Sequence, residues 1–191
     1  MRKINRPDCP DSEALKTDYK HSSNKDALVT ASSGKCMYCE SKVTHVYFGD
    51  VEHIKPKAVY PLLKFEWTNL GFVCAKCNNA KKDKFNEQTP YVDPYEEDPE
   101  EHVLAWGSVL KHKNGSERGE LTILDIELNR NDLVEKRQAR LDDIQKAIDA
   151  CKRTQNTTLK ELALQALINE ASVDKEYSLF VQTLFQVHGL S

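Results

Sequence analysis

The sequence predicts an α+β fold: a small unit of two strands and a helix, stapled by four cysteines and followed by a C-terminal helical region of about three helices. Two Cys-x-x-Cys pairs, Cys36/Cys39 and Cys74/Cys77, bracket a stretch rich in β-branched and aromatic residues. From Leu133 onward, apolar residues recur at steps of three, four or seven, the period of an amphipathic helix. At 191 residues, with 39% hydrophobic and 30% charged, the chain can build one ordinary domain or two small ones.

The elements follow in order. Residues 1–33 read as a polar N-terminal arm, with Pro7 and Pro10, ending in a short helix over Asn24 to Ser33. Residues 34–90 form the cysteine-stapled core. Within it, Thr44 to Phe48 alternates and reads as a strand, Gly49-Asp50 as a turn and Val51 to Ile54 as a second strand, stopped by Pro56. Trp67 to Val73 leads back to the second cysteine pair, and Cys77 to about Phe85 reads as a helix. Residues 91–127 hold an acidic linker or surface crossing, then a small hairpin around Gly107. Residues 128–191 are the helical region. One helix carries Leu133, Val134, Leu141, Ile144, Ile148 and Cys151. A second is capped by Thr158 with Glu161, and a third is striped by Tyr177, Phe180, Val181, Leu184 and Phe185.

Composition limits the function classes. No apolar run approaches the ~20 residues that span a bilayer, and no apolar stretch follows the basic start, so no membrane association or signal peptide is expected and the cytoplasm is the expected location. Thiols stay reduced there, so paired Cys-x-x-Cys motifs read as a metal site rather than as disulfides. Net charge is −3, which argues against a generally basic nucleic-acid coat. Between Lys35 and Glu87, however, nine lysines face six acidic residues, a local excess of three positive charges, whereas Asp93 to Glu101 holds six acids and no base.

Four thiolates in two such turns complete the tetrahedral shell of one structural Zn²⁺, held by Cys36, Cys39, Cys74 and Cys77. The 34 residues between Cys39 and Cys74 must then fold as a unit of their own. Cys9 and Cys151 have no partner at ligand spacing. Inside the staple lies Val51-Glu52-His53-Ile54-Lys55-Pro56-Lys57, and Asn78 follows the last cysteine. A histidine suits a general base near neutral pH, and the oxygens of Glu52 and Asn78 suit a hard cation, Mg²⁺ or Mn²⁺. With lysines nearby, these are the parts that phosphodiester hydrolysis requires. Glu52 and His53 point to opposite faces of a strand, so one site can use both only if the strand ends or bends there.

Cys36-x-x-Cys39, Val51-Glu52-His53-Ile54-Lys55-Pro56, Asn69-Leu70 and Cys74-x-x-Cys77-Asn78-x-x-Lys81 resemble the HNH endonucleases with a ββα-metal core, over about residues 34 to 86. The resemblance implies that His53 is the general base and that Glu52, where many members carry Asp, ligates the catalytic Mg²⁺ or Mn²⁺. It further implies that Asn69 orients the histidine, that Asn78 is a further metal ligand and that Lys81 contacts phosphate. Lys55 and Lys57 are expected to assist with phosphate. Cys39-Glu40, Tyr91-Val92-Asp93-Pro94, Leu128-Asn129-Arg130 and Leu133 to Arg137 extend the resemblance to the PtuB-type HNH proteins of Septu and retron anti-phage defence. That subtype implies a PtuA-type ATPase partner, or a retron reverse transcriptase–msDNA complex, with nucleic acid as substrate and DNA favoured over RNA. Two other readings use the same residues. One is a non-catalytic zinc module binding nucleic acid or a partner protein, and the other is an inactive subunit that assembles with an ATPase.

Overall fold

The structure, a computed structural model, describes residues 1–43 and 48–190. After the arm and two helices, α1 (Ser12–Leu15) and α2 (Ser22–Ala31), come strand β1 (Asp50–His53), strand β2 (Leu70–Val73) and helix α3 (Ala75–Lys81). A hairpin of β3 (Val103–Trp106) and β4 (Val109–His112) follows, then α4 (Glu117–Asp125), α5 (Asn131–Arg153), α6 (Thr157–Asn169) and α7 (Ser178–Val187).

Strands β1 and β2 pair antiparallel with Glu52 opposite Gly71 and His53 opposite Leu70, and α3 packs on β1. The core is therefore strand, strand, helix, and the described partner of β1 is Leu70–Val73, a segment expected only to lead back to the second cysteine pair. Residues 44–47 of the expected first strand lie outside the described residues. The Leu70–Val73 strand is buried along its whole length. It therefore lacks the alternation that marks a half-buried strand and reads as a connector. Gly71 lets the first cysteine turn approach: a Cβ there would lie 2.2 Å from the Met37 sulfur. The Met37 amide also donates to the Phe72 carbonyl at 3.0 Å, tying that turn to the sheet.

Helix α3 begins directly after the first cysteine of the second pair, at Ala75 rather than Cys77, because Cys74 caps it: its sulfur accepts the Cys77 amide at 3.5 Å. Helix α6 is capped by Asn156, whose Oδ1 accepts the Leu159 amide at 3.0 Å, in place of the expected Thr158. Helix α4 has no counterpart in the sequence reading. Glycine at position 119 lowers its intrinsic propensity, yet a Cβ there would meet the His102 carbonyl at 2.4 Å, so close packing demands the glycine.

Helix α5 buries Leu133, Arg137, Leu141, Ile144, Ile148 and Cys151 along one stripe. Its later part packs with Leu167 of α6 and with Val181 and Phe185 of α7. Its earlier part joins a larger apolar cluster that includes Met1, Leu15, Leu28, Tyr38, Phe72, Val92, Leu110 and Phe180. The acidic stretch is anchored within this packing: Tyr91, Val92, Pro94 and Tyr95 are buried, and Glu97 pairs with Arg118 and His102. Among the described residues, no helix is long and apolar enough to cross a membrane.

Candidate active site

The four cysteines converge. Their sulfurs all lie within 4.8 Å of one another, and Cys39 and Cys74 are 3.8 Å apart. A tetrahedron with Zn–S bonds of about 2.3 Å has edges of about 3.8 Å, so these residues fit one zinc ion. Arg130 donates to the Cys77 sulfur at 3.5 Å, which brings a positive charge to the tetrathiolate from just before α5.

The staple joins the first cysteine turn to the start of α3, and a cleft of about 180 Å³ lies where β1 meets the end of α3. Glu52, His53, Lys57 and Asn78 line it, joined by Tyr19, Lys20, Lys82 and Asp83. Glu52 and His53 share the cleft because β1 stops at His53 and the chain bends toward Pro56. That is the condition the strand's alternation imposes on any joint use of the two.

His53 is buried, and its Nε2 lies 2.9 Å from the Lys64 carbonyl. A carbonyl only accepts, so Nε2 carries the proton and Nδ1 is the basic nitrogen of the neutral ring. Burial pushes the imidazole pKa below its ordinary value, and the charges of Lys57, Lys81 and Lys64 push the same way, against the raising effect of the Lys64 carbonyl. The ring is therefore neutral, and able to accept a proton, at neutral pH.

Asn69 does not touch His53 among the described contacts; it holds the loop that does. Its Oδ1 accepts the Lys55 amide at 2.7 Å, and its Nδ2 donates to the Lys55 and Leu63 carbonyls at 3.0 and 3.1 Å. Both ends of the loop are thus pinned beside Lys64, whose carbonyl orients the histidine.

Glu52 is buried beside Lys81, whose Nζ lies 2.6 Å from Oε1. Burial raises the Glu52 pKa, while the Lys81 charge opposes that rise. The family resemblance gives Lys81 a phosphate to contact. It is instead wholly buried, and it also donates to the His53 carbonyl at 2.9 Å. Its length and position, one turn after the last cysteine, carry it inward to bridge α3 and the end of β1. Lys55 lies outside the cleft lining, 5.8 Å from the rings of Tyr60 and Phe85.

Asn78 donates through Nδ2 to Asp50 at 3.3 Å, which leaves its carboxamide oxygen for another partner. Glu52 and Asn78 thus bring a carboxylate and an amide oxygen to one small, open cleft. That donor set fits a hard divalent cation that keeps several waters.

Several residues in or beside the cleft escape the sequence reading. Asp50, which holds the Asn78 amide from outside the cleft lining, shares a face of β1 with Glu52 and could have been found by two-residue alternation, but Gly49 makes it read as a turn. Lys82 and Asp83 lie just past the end of α3. Tyr19 has no local signal. It belongs to the arm, and its ring packs edge-on against His53 with centroids 4.5 Å apart. The arm is strapped to the core by Arg6, which donates to the carbonyls of Trp67, Leu70 and Thr68 at 3.0, 2.8 and 2.9 Å.

Residues 36–84 match the family model described as HNH endonuclease. The chain is 28% identical to the Septu protein PtuB of Bacillus mycoides (strain KBAB4) over 158 residues, which cover 66% of this chain and 54% of that protein. It is 33% identical to the Septu protein PtuB of Bacillus thuringiensis over 109 residues, 56% of this chain and 42% of that protein. The matched part spans about half the length of these curated relatives. Residues 36–84, with a cysteine cluster that fits one zinc ion and a strand–strand–helix core around His53, are thus similar to the HNH endonucleases, and the chain is similar to the Septu PtuB proteins over about half of their length.

Proposed function

We propose that this protein is a divalent-metal-dependent endonuclease that hydrolyses phosphodiester bonds of nucleic acid, DNA in preference to RNA, as the effector of an anti-phage defence system. The observation that carries the reading is the convergence of His53, Glu52 and Asn78 on one cleft, with the His53 Nε2 committed to the Lys64 carbonyl.

In this reading His53 Nδ1 takes the proton of a water as that water attacks phosphorus. The Lys64 carbonyl holds the imidazole in the required tautomer, and Asn69 holds the loop that presents the carbonyl. Glu52 and the Asn78 amide oxygen would hold Mg²⁺ or Mn²⁺, which supplies charge stabilisation at the phosphate and the leaving oxygen. Lys81 opposes the burial-driven rise of the Glu52 pKa and aims the carboxylate, a supporting role rather than a phosphate contact. Lys57 and Lys82 bring positive charge to the backbone being cut, and Lys55 is placed for contact farther along it. The zinc in the four-cysteine site is structural. By similarity to the PtuB relatives we also assign a PtuA-type ATPase partner. A retron reverse transcriptase–msDNA complex is the other assembly consistent with the subtype.

The test is cleavage of plasmid DNA and of RNA with Mg²⁺ or Mn²⁺, by the chain alone and with the co-expressed ATPase. His53→Ala is expected to lose at least about 10²-fold in rate, the usual contribution of a general base, with zinc content unchanged. Equal cleavage by wild type and variant would refute the assignment. The Glu52–Lys81 ion pair favours a second reading, a non-catalytic zinc module in which Glu52 is purely structural. Retained partner binding with no cleavage in any divalent ion would establish it.

A further inference from the structure

The cleft holds a pair that neither the cysteine staple nor the metal-ligand set uses. The Tyr19 hydroxyl and the Lys57 ammonium lie 2.6 Å apart at its rim. Lys57 is exposed, its ammonium stands 4.6 Å from the centre of the Tyr19 ring, and the same ring packs edge-on against His53. The ammonium has three donors and no acceptor, so the shared contact runs from Lys57 to the Tyr19 oxygen. That leaves the phenolic proton and two ammonium protons for a ligand, all beside the His53 ring. With Lys20 and Lys82 on the same rim, the ligand these donors suit is an anion. At about 180 Å³ the cleft is smaller than the ~300 Å³ lower range of small-molecule pockets, too small to enclose a nucleoside but open enough to admit one phosphate of a chain lying across it.

We propose that Tyr19 and Lys57 form a two-donor phosphate fork, in which the N-terminal arm, outside the family-matched core, contributes the tyrosine. The fork grips one backbone phosphate of the nucleic acid and seats it against His53. This inference rests on the nuclease reading for its biological sense, but it is a binding claim and can fail independently. It also gives the Arg6 strap a purpose: the clamp on residues 67–70 holds the arm where Tyr19 can reach the cleft.

The experiment measures fluorescence anisotropy of labelled single-stranded DNA and RNA oligonucleotides bound to the full chain, with Ca²⁺ replacing Mg²⁺ to suppress cleavage. Tyr19→Phe and Lys57→Ala are each expected to weaken binding about tenfold, the size of one charge-assisted hydrogen bond. The double variant should be little weaker than Lys57→Ala, because both donors serve one phosphate. Lys57→Ala should lower the salt slope by about one ion, while Tyr19→Phe should leave it unchanged. Zinc content and thermal melting confirm that each variant is folded. The fork is overturned by additive losses, by no loss in either variant, by tighter binding in Tyr19→Phe, or by a wild type that binds no oligonucleotide at low salt. A wild type that binds oligonucleotides but cleaves none in Mg²⁺ or Mn²⁺ would remove the nuclease reading and leave the binding results to judge the fork.

Discussion

Lys81 has 0% of its surface exposed and spans two groups, the Glu52 carboxylate and the His53 carbonyl. Two desolvated charges at 2.6 Å are tolerable only as a pair. Lys81→Met keeps the volume and strands Glu52, which should cost about 3–5 kcal/mol in urea unfolding, the usual cost of breaking a buried pair. Adding Glu52→Gln should recover a large part of that loss. If Lys81→Met were as stable as wild type, the ammonium would not be supporting Glu52 and would be free to meet substrate. The same burial explains why a lysine at a phosphate-contact position of the motif faces inward. Spacing places the residue on α3, but only the packing of α3 on β1 decides where its ammonium goes.

At the scale of elements, the segment that reads as an acidic linker is a packed strap. Tyr91, Val92, Pro94 and Tyr95 bury between the core and α4, and Arg118 ties to Glu97 and to the carbonyls of Pro90 and Tyr91. Asp93 starts a turn within it, its Oδ1 accepting the Tyr95 amide at 2.9 Å. Burial pushes its pKa up from 3.8 to about 6, although the Tyr95 amide and Arg6 pull it down. A carboxyl whose pKa is raised by folding stabilises the fold below its unfolded value and loses that contribution as pH rises through the folded value. The ionised form therefore weakens the strap above about pH 6. Asp93→Asn keeps the amide acceptor and cannot ionise. It should raise stability at pH 8, by at most about 3 kcal/mol at 1.36 kcal/mol per pK unit, and change little near pH 4. Thermal melts at the two pH values read the difference, and equal effects at both would show that ionisation of Asp93 is not the cause.

Across the whole molecule, the zinc site is a junction. Cys77 takes Arg130, beside the start of α5, and Cys39 takes the Ser41 hydroxyl, which in turn meets the Tyr177 hydroxyl at the start of α7. Glu40, inside the same turn, accepts from Ser178 at 3.0 Å and pairs with Lys35. Because ligand binding to such a site is folding free energy, removing the metal should loosen more than the strand–strand–helix core. Chelation is expected to raise hydrogen exchange at residues 36–81 and also in the first turns of α5 and α7, while the middle of α6 stays as it was. Protection of α5 and α7 unchanged by chelation would make the helical region energetically separate from the staple.

Most of the residues that converge at the candidate site were legible in the sequence. Thiolate pairs, a histidine beside a carboxylate and an asparagine after the last cysteine announce themselves by residue type and short spacing, which survive whatever the fold does. The three C-terminal helices were legible too, because a stripe such as Leu133 to Cys151 repeats the period of the structure it forms. Tertiary structure decided what depends on contacts between distant segments. It paired Leu70–Val73 with β1, a pairing the sequence hides because a strand buried on both faces shows no period. It turned Lys81 inward, tied Asn69 to the loop that carries the Lys64 carbonyl, and brought Tyr19 to His53. No local pattern encodes those placements, since each is set by what packs against the residue and not by its neighbours in the chain.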